Sequence, residues 1–318
     1  MKKKLISVVV PIFNEEMGIK KFLDKELFPV LERLPYQTEI VLVDDGSWDG
    51  TLEKIRAMNT KIPMRIVVFS KNFGKEIALT AGIFYAKGDA IVMIDADGQH
   101  PAEAIPRLVE KWENGAEVVT ALRGQNTTRH RLGSRIYYRL LRMMGMRNFV
   151  PGELDFRLID RAVADEFNKF TEHNRLTRGL INWLGFKQEY IKVETKGRIG
   201  GRPTYGFKKL MALAGDSMVS MSRTPLIIFG YIGIFITVVS VIFGLFILIQ
   251  QYILGDPLGL DWSGAVAMSV FVSFLVGLVL ISQAITALYI AQIHIETKNR
   301  PLFVVDKKRS VGVDGDER

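Results

Sequence analysis

Ala90-Ile91-Val92-Met93-Ile94-Asp95-Ala96-Asp97-Gly98-Gln99-His100-Pro101 runs five apolar residues straight into two carboxylates spaced one residue apart. A short apolar run bounded by turn residues reads as a strand buried on both faces. Both carboxylates then emerge at its carboxyl end. Working outward, the same arrangement recurs. Ile6–Phe13 leads into Asn14-Glu15, Glu39–Val43 into Asp44-Asp45-Gly46-Ser47, Met64–Phe69 into Lys71-Asn72-Phe73-Gly74-Lys75, and Glu117–Ala121 into Arg123. Met17–Leu34, Thr51–Met58, Ile77–Ala86 and Pro101–Trp112, between these runs, have helical character. Strands alternating with helices predict an α/β fold with a mostly parallel sheet. Ligands of such sheets bind beyond the carboxyl ends of the strands, so five polar strand ends define one site.

The residue types limit its chemistry. There is no cysteine and there are four scattered histidines, which excludes disulfides, thiolate metal sites and cysteine nucleophiles and disfavours zinc. A metal here is held by oxygen, which favours Mg²⁺ or Mn²⁺ with water and substrate phosphates completing the shell. Asp95 and Asp97 suit that task; an Asp-x-Asp alone is also a common turn or helix cap. Asp44, ending the second strand, can accept hydrogen bonds from a base or ribose, while Ser47 or Asp49 caps the helix that follows. Gly74-Lys75 lacks the upstream glycine and the following Ser or Thr of a phosphate loop, and that reading is rejected. Neither a dinucleotide fingerprint nor a nucleophile elbow is present.

Met1-Lys-Lys-Lys before an apolar run suggests a signal peptide, but the run is short, β-branched and without a small-residue cleavage pattern, so it reads as a strand. The carboxyl-terminal third differs in kind. From Thr224 to Ile293 the only charges are Asp256 and Asp261. Pro225–Leu254 and Ser263–Ile293 are each long enough for a transmembrane helix. Arg223, Lys298, Arg300, Lys307, Lys308 and Arg309 flank them, and the loop between carries no Lys or Arg, so the positive-inside rule puts both termini in the cytoplasm of a multi-pass cell-membrane protein. Phe207, Leu210, Met211, Ala214, Met218 and Met221 recur at helical spacing and predict an amphipathic helix on the membrane surface. The expected organisation is a cytoplasmic catalytic domain (1–204), this helix (205–223), two spans (224–293) around an extracytoplasmic loop (255–262), and a cytoplasmic tail (294–318). The net charge of +8 is assigned to anionic lipid, not nucleic acid, because the basic clusters lie beside the spans. Small residues in the spans predict a homo-oligomer.

Val9-x-Pro11-x-Phe13-Asn14-Glu15, Asp44-Asp45-Gly46-Ser47 and Asp95-Ala96-Asp97-x-Gln99-His100-Pro101, in this order, resemble the family 2 glycosyltransferases of GT-A fold. Asp155-Phe156-Arg157-Leu158-x-Asp160-Arg161, Arg178-Gly179-x-x-x-Trp183-x-Gly185-Phe186 and Tyr205-Gly206 extend the likeness to polyprenyl- and dolichyl-phosphate sugar synthases, bacterial bactoprenol glucosyltransferases among them. The resemblance implies a nucleoside pocket lined by Pro11, Phe13, Glu15, Leu42 and Asp44. It implies that Asp95, Ala96 and Asp97 meet ribose, diphosphate and metal, with Gln99 near the metal and Arg123 at the donor. Asp155 matches the family's presumed base and Arg157 its neighbour. Arg198-Ile-Gly-Gly-Arg202-Pro-Thr204-Tyr205 departs from the usual loop, with Thr204 where a lysine is common; Arg202 is expected to supply the cation. The implied reaction is a single inverting transfer of a hexose, glucose from UDP-glucose, to polyprenyl phosphate. Arg123, Arg157, Arg198 and Arg202 would gather the phosphates. A GDP-mannose, UDP-GlcNAc or aminoarabinose donor, or a silent nucleotide-sugar-binding subunit, fits the same motifs.

Overall fold

The computed structural model describes residues 3–124, 150, 152–173, 175–194 and 264–313, with single positions at 235, 242 and 249. The chain divides into two compact units, Met1–Arg142 with Arg147–Thr204 and Arg300–Arg318, and Met143–Met146 with Tyr205–Asn299.

The first unit is built on a seven-stranded sheet. In chain order its elements are β1 (Leu5–Ile12), a helical run of α1 (Ile19–Lys21), a π-helical turn (Phe22–Leu27) and α2 (Phe28–Arg33), then β2 (Gln37–Asp44), α3 (Thr51–Arg56), β3 (Met64–Val68), α4 (Lys75–Tyr85) and β4 (Ala90–Met93). A 3₁₀ turn (Ala102–Ala104), α5 (Ile105–Glu113), β5 (Val118–Arg123), β6 (Glu153–Asp160), α6 (Arg161–Phe167), α7 (Thr177–Trp183) and β7 (Gln188–Val193) follow. The strand order is β3-β2-β1-β4-β6-β5-β7. Among the described strands, only β6 runs against its neighbours. All five strands expected from the apolar runs are present; β6 and β7 complete the sheet.

Side-chain alternation explains why these runs need cover on both faces. Val8 and Val10 of β1, Ile40 and Leu42 of β2, and Val92 of β4 enter one hydrophobic cluster with α5 and the π turn. Val9, Val41, Val43, Ile91 and Met93 enter another, with α4 and α6. Successive strand residues point to opposite faces, so a run apolar at every position has two cores to fill. Helix α4 lies close on β1: a Cβ on Gly82 would sit 2.1 Å from Val9 Cγ1.

The outer edge of β3 is covered by residues beyond the long apolar region. Ile66 and Val311 exchange backbone hydrogen bonds at 3.0 and 2.8 Å, Asp306 N donates to Val68 O at 2.8 Å, and Ser70 N donates to Val304 O at 2.9 Å. Phe303 is buried and stacks on Phe69 with ring centroids 5.2 Å apart. Residues 302–311, expected as part of a tail, thus close an exposed strand edge.

In the second unit, α8 (Gly264–Thr297) is a 34-residue helix whose first acidic residue is Glu296. Among the described residues no helix is long and apolar enough to cross a membrane. Side chains of α8 are described only in part, and the first expected span, the amphipathic helix and the loop 255–262 lie outside the described residues apart from positions 235, 242 and 249. The transmembrane pair is therefore not among the features seen.

Candidate active site

Adjacent strands β2, β1, β4 and β6 bring Asp44, Phe13, Asp95 and Asp155 to one edge of the sheet. The antiparallel register sets Met93 opposite Arg157; continued by two residues, it brings Asp95 against Asp155.

Two loops on the β1–β2 side are laced together by hydrogen bonds. Asn14 N donates to Ser47 Oγ at 2.9 Å, Trp48 N to Asn14 Oδ1 at 3.1 Å, Glu15 N to Thr51 Oγ1 at 3.0 Å, and Gly50 N to Glu16 Oε2 at 3.2 Å. Phe13 meets Trp48 edge to face, centroids 5.0 Å apart. Asp44 is fully buried. Its Oδ1 accepts from Ser47 N at 3.0 Å, while Oδ2 is buried with no hydrogen-bond partner among the described residues. Burial pushes its carboxyl up, against the Ser47 hydrogen bonds. A buried acceptor lacking a donor suits the N–H of a base or a ribose hydroxyl. Leu42, by contrast, lies wholly inside the core and Pro11 is buried in β1.

Asp45 holds the next loop. Its two oxygens accept from Phe73 N at 2.6 Å and Gly74 N at 2.9 Å. Burial pushes this carboxyl up to about 6, against those two donors. Gly46, at φ 72°, is required beside it: a Cβ there would come 2.5 Å from the Lys71 carbonyl carbon. The loop so fixed starts α4 at Lys75.

Lys75 is the residue that sequence reasoning set aside. Its Nζ lies 2.8 Å from the Asp95 carboxylate and 3.0 Å from Asp155 Oδ2. Burial works against its charge, yet Asp95 and Asp155 outweigh it and hold the ammonium protonated. Burial likewise works to raise Asp155, but Lys75 and Arg157 hold it well below the usual carboxylate range. Its position in the chain, at the third strand end and the first turn of a helix, was the available signal; the failed comparison with a phosphate loop hid it.

The other expected residues are distributed as follows. Asp97 is half-buried and its Oδ1 accepts from Gln99 N at 3.0 Å. Ala96 is buried beneath the turn. His100 is buried, stacks on Phe156, and sets Nδ1, which has no hydrogen-bond partner among the described residues, 3.9 Å from Asp95 Oδ2. Arg123 is exposed at the end of β5, and its N donates to Gly152 O at 2.9 Å. Arg157 is 1 % exposed and donates to Leu154 O at 3.3 Å, so its charge acts on the site through Asp155. Arg198 and Arg202 lie outside the described residues. Among the described residues no group of three or more His, Cys, Asp or Glu side chains forms a metal cage. Two carboxylates at a strand end with Gln99 alongside fit a hard cation that completes its shell from phosphate and water.

A mostly parallel sheet with acidic residues at neighbouring strand ends defines an α/β domain with a candidate site along that edge. Residues 7–169 match glycosyl transferase family 2, and the chain belongs to that family. It is 36% identical over 306 residues to the SfII prophage-derived bactoprenol glucosyl transferase of Shigella flexneri, covering 95% of this chain and 97% of the relative. It is 35% identical over 308 residues to the bactoprenol glucosyl transferase of Shigella phage SfX, covering 96% and 99%. Among solved structures it resembles glucosyl-3-phosphoglycerate synthase from Mycobacterium tuberculosis, in complex with Mn²⁺, UDP and phosphoglyceric acid. That likeness has a TM-score of 0.50 at 18% identity over 69% of this chain and 77% of the other, a likeness of GT-A-like fold.

Proposed function

We propose that this glycosyltransferase moves a glucosyl group from UDP-glucose to polyprenyl phosphate at the cytoplasmic face of a membrane. The observation that carries the reading is the meeting of Asp95, of the donor motif, with Asp155 across Lys75 at one edge of the sheet. Likeness to bactoprenol glucosyl transferases along almost the whole chain supports the acceptor class. Asp95, Asp97 and Gln99 are the residues to hold Mg²⁺ or Mn²⁺, which when bound offsets charge on the leaving diphosphate.

In the transfer, an acceptor phosphate oxygen bonds to the anomeric carbon as the bond from that carbon to the donor diphosphate breaks. The configuration inverts, and the nucleoside diphosphate leaves with the electron pair. A phosphomonoester with its second pKa at about 6 is mostly dianionic at neutral pH, so no proton need be taken from it. Asp155, held ionised far below neutrality, is a weak base. Its role is to orient the cations that face the acceptor.

The membrane part of the reading is drawn from the sequence. The chain leaves the sheet-bearing unit at Thr204 and re-enters it at Arg300, so any crossings made in between are even in number. The uncharged Pro225–Leu254 and Ser263–Ile293 stretches supply two.

The test incubates purified protein and Mn²⁺ with labelled UDP-glucose, GDP-mannose or UDP-GlcNAc and polyprenyl phosphate in detergent. Label from UDP-glucose should pass into organic solvent. Label from another donor alone would replace the proposed sugar. No lipid-linked label from any donor, with nucleotide bound, would overturn the activity.

A further inference from the structure

Lys75 sits where a catalytic cation is wanted, yet both of its carboxylate partners have other work in the proposed reaction. We infer that Lys75 is the resident counter-cation of the donor site, pairing Asp95 until the divalent cation and the nucleotide arrive together. The inference rests on the donor-site reading given above and concerns how that site is kept closed to metal alone.

Three observations carry it. First, the ammonium spans the two strand ends, 2.8 Å from Asp95 and 3.0 Å from Asp155 Oδ2. A cation entering at Asp95 must therefore displace one ion pair before forming its own bonds. Second, the backbone that leads into Lys75 is held in place. Gly74 N and Phe73 N are pinned on Asp45, and Phe73 packs edge to face on Phe69. Third, Asp155 remains as a partner once Asp95 is given up. The ammonium then keeps one ion pair and turns its remaining donors towards incoming phosphate oxygens, of the donor diphosphate or the acceptor.

Metal alone gains two carboxylates and loses to Lys75. Metal with a nucleoside diphosphate gains phosphate ligands and brings the lysine new anionic partners, so nucleotide is required for tight metal binding. Removing the lysine charge should thus tighten bare-site metal binding, whereas a purely structural lysine would weaken it or leave it unmoved.

The test measures Mn²⁺ binding to the full chain in detergent by electron paramagnetic resonance, with and without UDP, for wild type, Lys75→Gln, Lys75→Arg and Asp155→Asn. Circular dichroism checks each fold. Without UDP, Lys75→Gln should bind Mn²⁺ roughly tenfold more tightly, the scale of one displaced ion pair. Lys75→Arg, which keeps a cation on Asp95, should stay within about threefold of wild type, and Asp155→Asn, which leaves the displaced ammonium no second carboxylate, should bind Mn²⁺ no more tightly than wild type. The coupling between UDP and Mn²⁺ should shrink in Lys75→Gln alone. Unchanged or weaker Mn²⁺ binding in a folded Lys75→Gln, or equal tightening in Lys75→Arg, would overturn the inference. Absence of Mn²⁺ binding to wild type even with UDP would instead remove the metal site itself, and the inference with it.

Discussion

The two halves of the site are held by different forces. On the β1–β2 side the loops are joined by directional hydrogen bonds, Asn14 with Ser47 and Trp48, Glu15 with Thr51, Asp45 with Phe73 and Gly74. On the β4–β6 side Asp95 and Asp155 are held by charge, through one ammonium. A hydrogen-bonded loop is shaped before its ligand comes. A cluster of opposed charges can change partners when new charges enter, with little backbone movement. The first arrangement suits recognition of a nucleoside, and the second suits a place where phosphates and a cation come and go.

The sharpest way to break this comparison is at Asp97. Asp97→Ala should cost about a thousandfold in kcat, the scale for losing one electrostatic stabiliser of a leaving group. Melting temperature should stay close to wild type, because Asp97 is half-buried and lies outside both apolar clusters. Excess chelator should reproduce the loss in wild type. Undiminished turnover in chelator would remove the cation from the charged half.

Asp45 tests the hydrogen-bonded half. Its carboxyl sits at about 6 when folded, above the ordinary 3.8, because burial penalises the charge. The sign follows: the folded state binds this proton more readily than the unfolded chain. Its contribution to stability is full below pH 3.8 and is lost as pH rises through about 6, at most about 3 kcal/mol for that span. Ionisation, however, is what lets both oxygens accept from Phe73 and Gly74. Activity should therefore rise through pH 6 where this contribution to stability falls. Asp45→Asn should flatten that stability step. At pH 8 it should lower kcat/KM about tenfold, since an amide N–H faces a backbone N–H and leaves it unsatisfied. Urea unfolding and initial rates across pH 5–8 check both.

Asp155→Asn sharpens the distinction between a base and a positioning group. With its carboxyl far below neutrality, Asp155 is ionised throughout pH 5–8, so it supplies no acidic limb. Loss of a partner for Lys75 should cost about tenfold in kcat, against the hundredfold to ten-thousandfold typical of a removed general base. UDP affinity should be within twofold of wild type by the same separation of roles. A larger loss, with a pH limb that the variant abolishes, would restore the base.

What the sequence disclosed follows the same division. Fully apolar strands β1 to β5 were legible because two buried faces leave no polar position. Strand β6 was not, because Arg157 and Asp155 interrupt it; the arginine is a core residue in fact and a surface residue by type. Strand β7, Gln188–Val193, has too few apolar residues to register as buried. The return of Phe303, Val305 and Val311 to β3 is a contact across more than 230 positions, which no local pattern reports. At the candidate site, the places of Asp44, Asp95 and Asp97 at and just beyond strand ends were legible from the apolar runs before them. Lys75 and Asp45 act through partners that only folding brings near, the one joining two strands and the other fixing a loop.

The smallest expected effect separates the two kinds of bonding most cleanly. Lys54 Nζ lies 3.0 Å from Glu16 O and 3.3 Å from Glu16 Oε1, an ion pair within the hydrogen-bonded half. Both side chains are about two-fifths exposed, at 41% and 40%, so water and salt screen the pair. Lys54→Ala should cost no more than about 1 kcal/mol in stability. UDP affinity should not move, because the loop keeps the bonds from Asn14, Glu15 and Gly50. Raising ionic strength should have the same slight effect on that side while weakening Mn²⁺-dependent binding at Asp95. If Lys54→Ala instead weakened UDP binding as strongly as Asp45→Asn weakens turnover, the β1–β2 loops would depend on charge as well, and the contrast between the halves would fail.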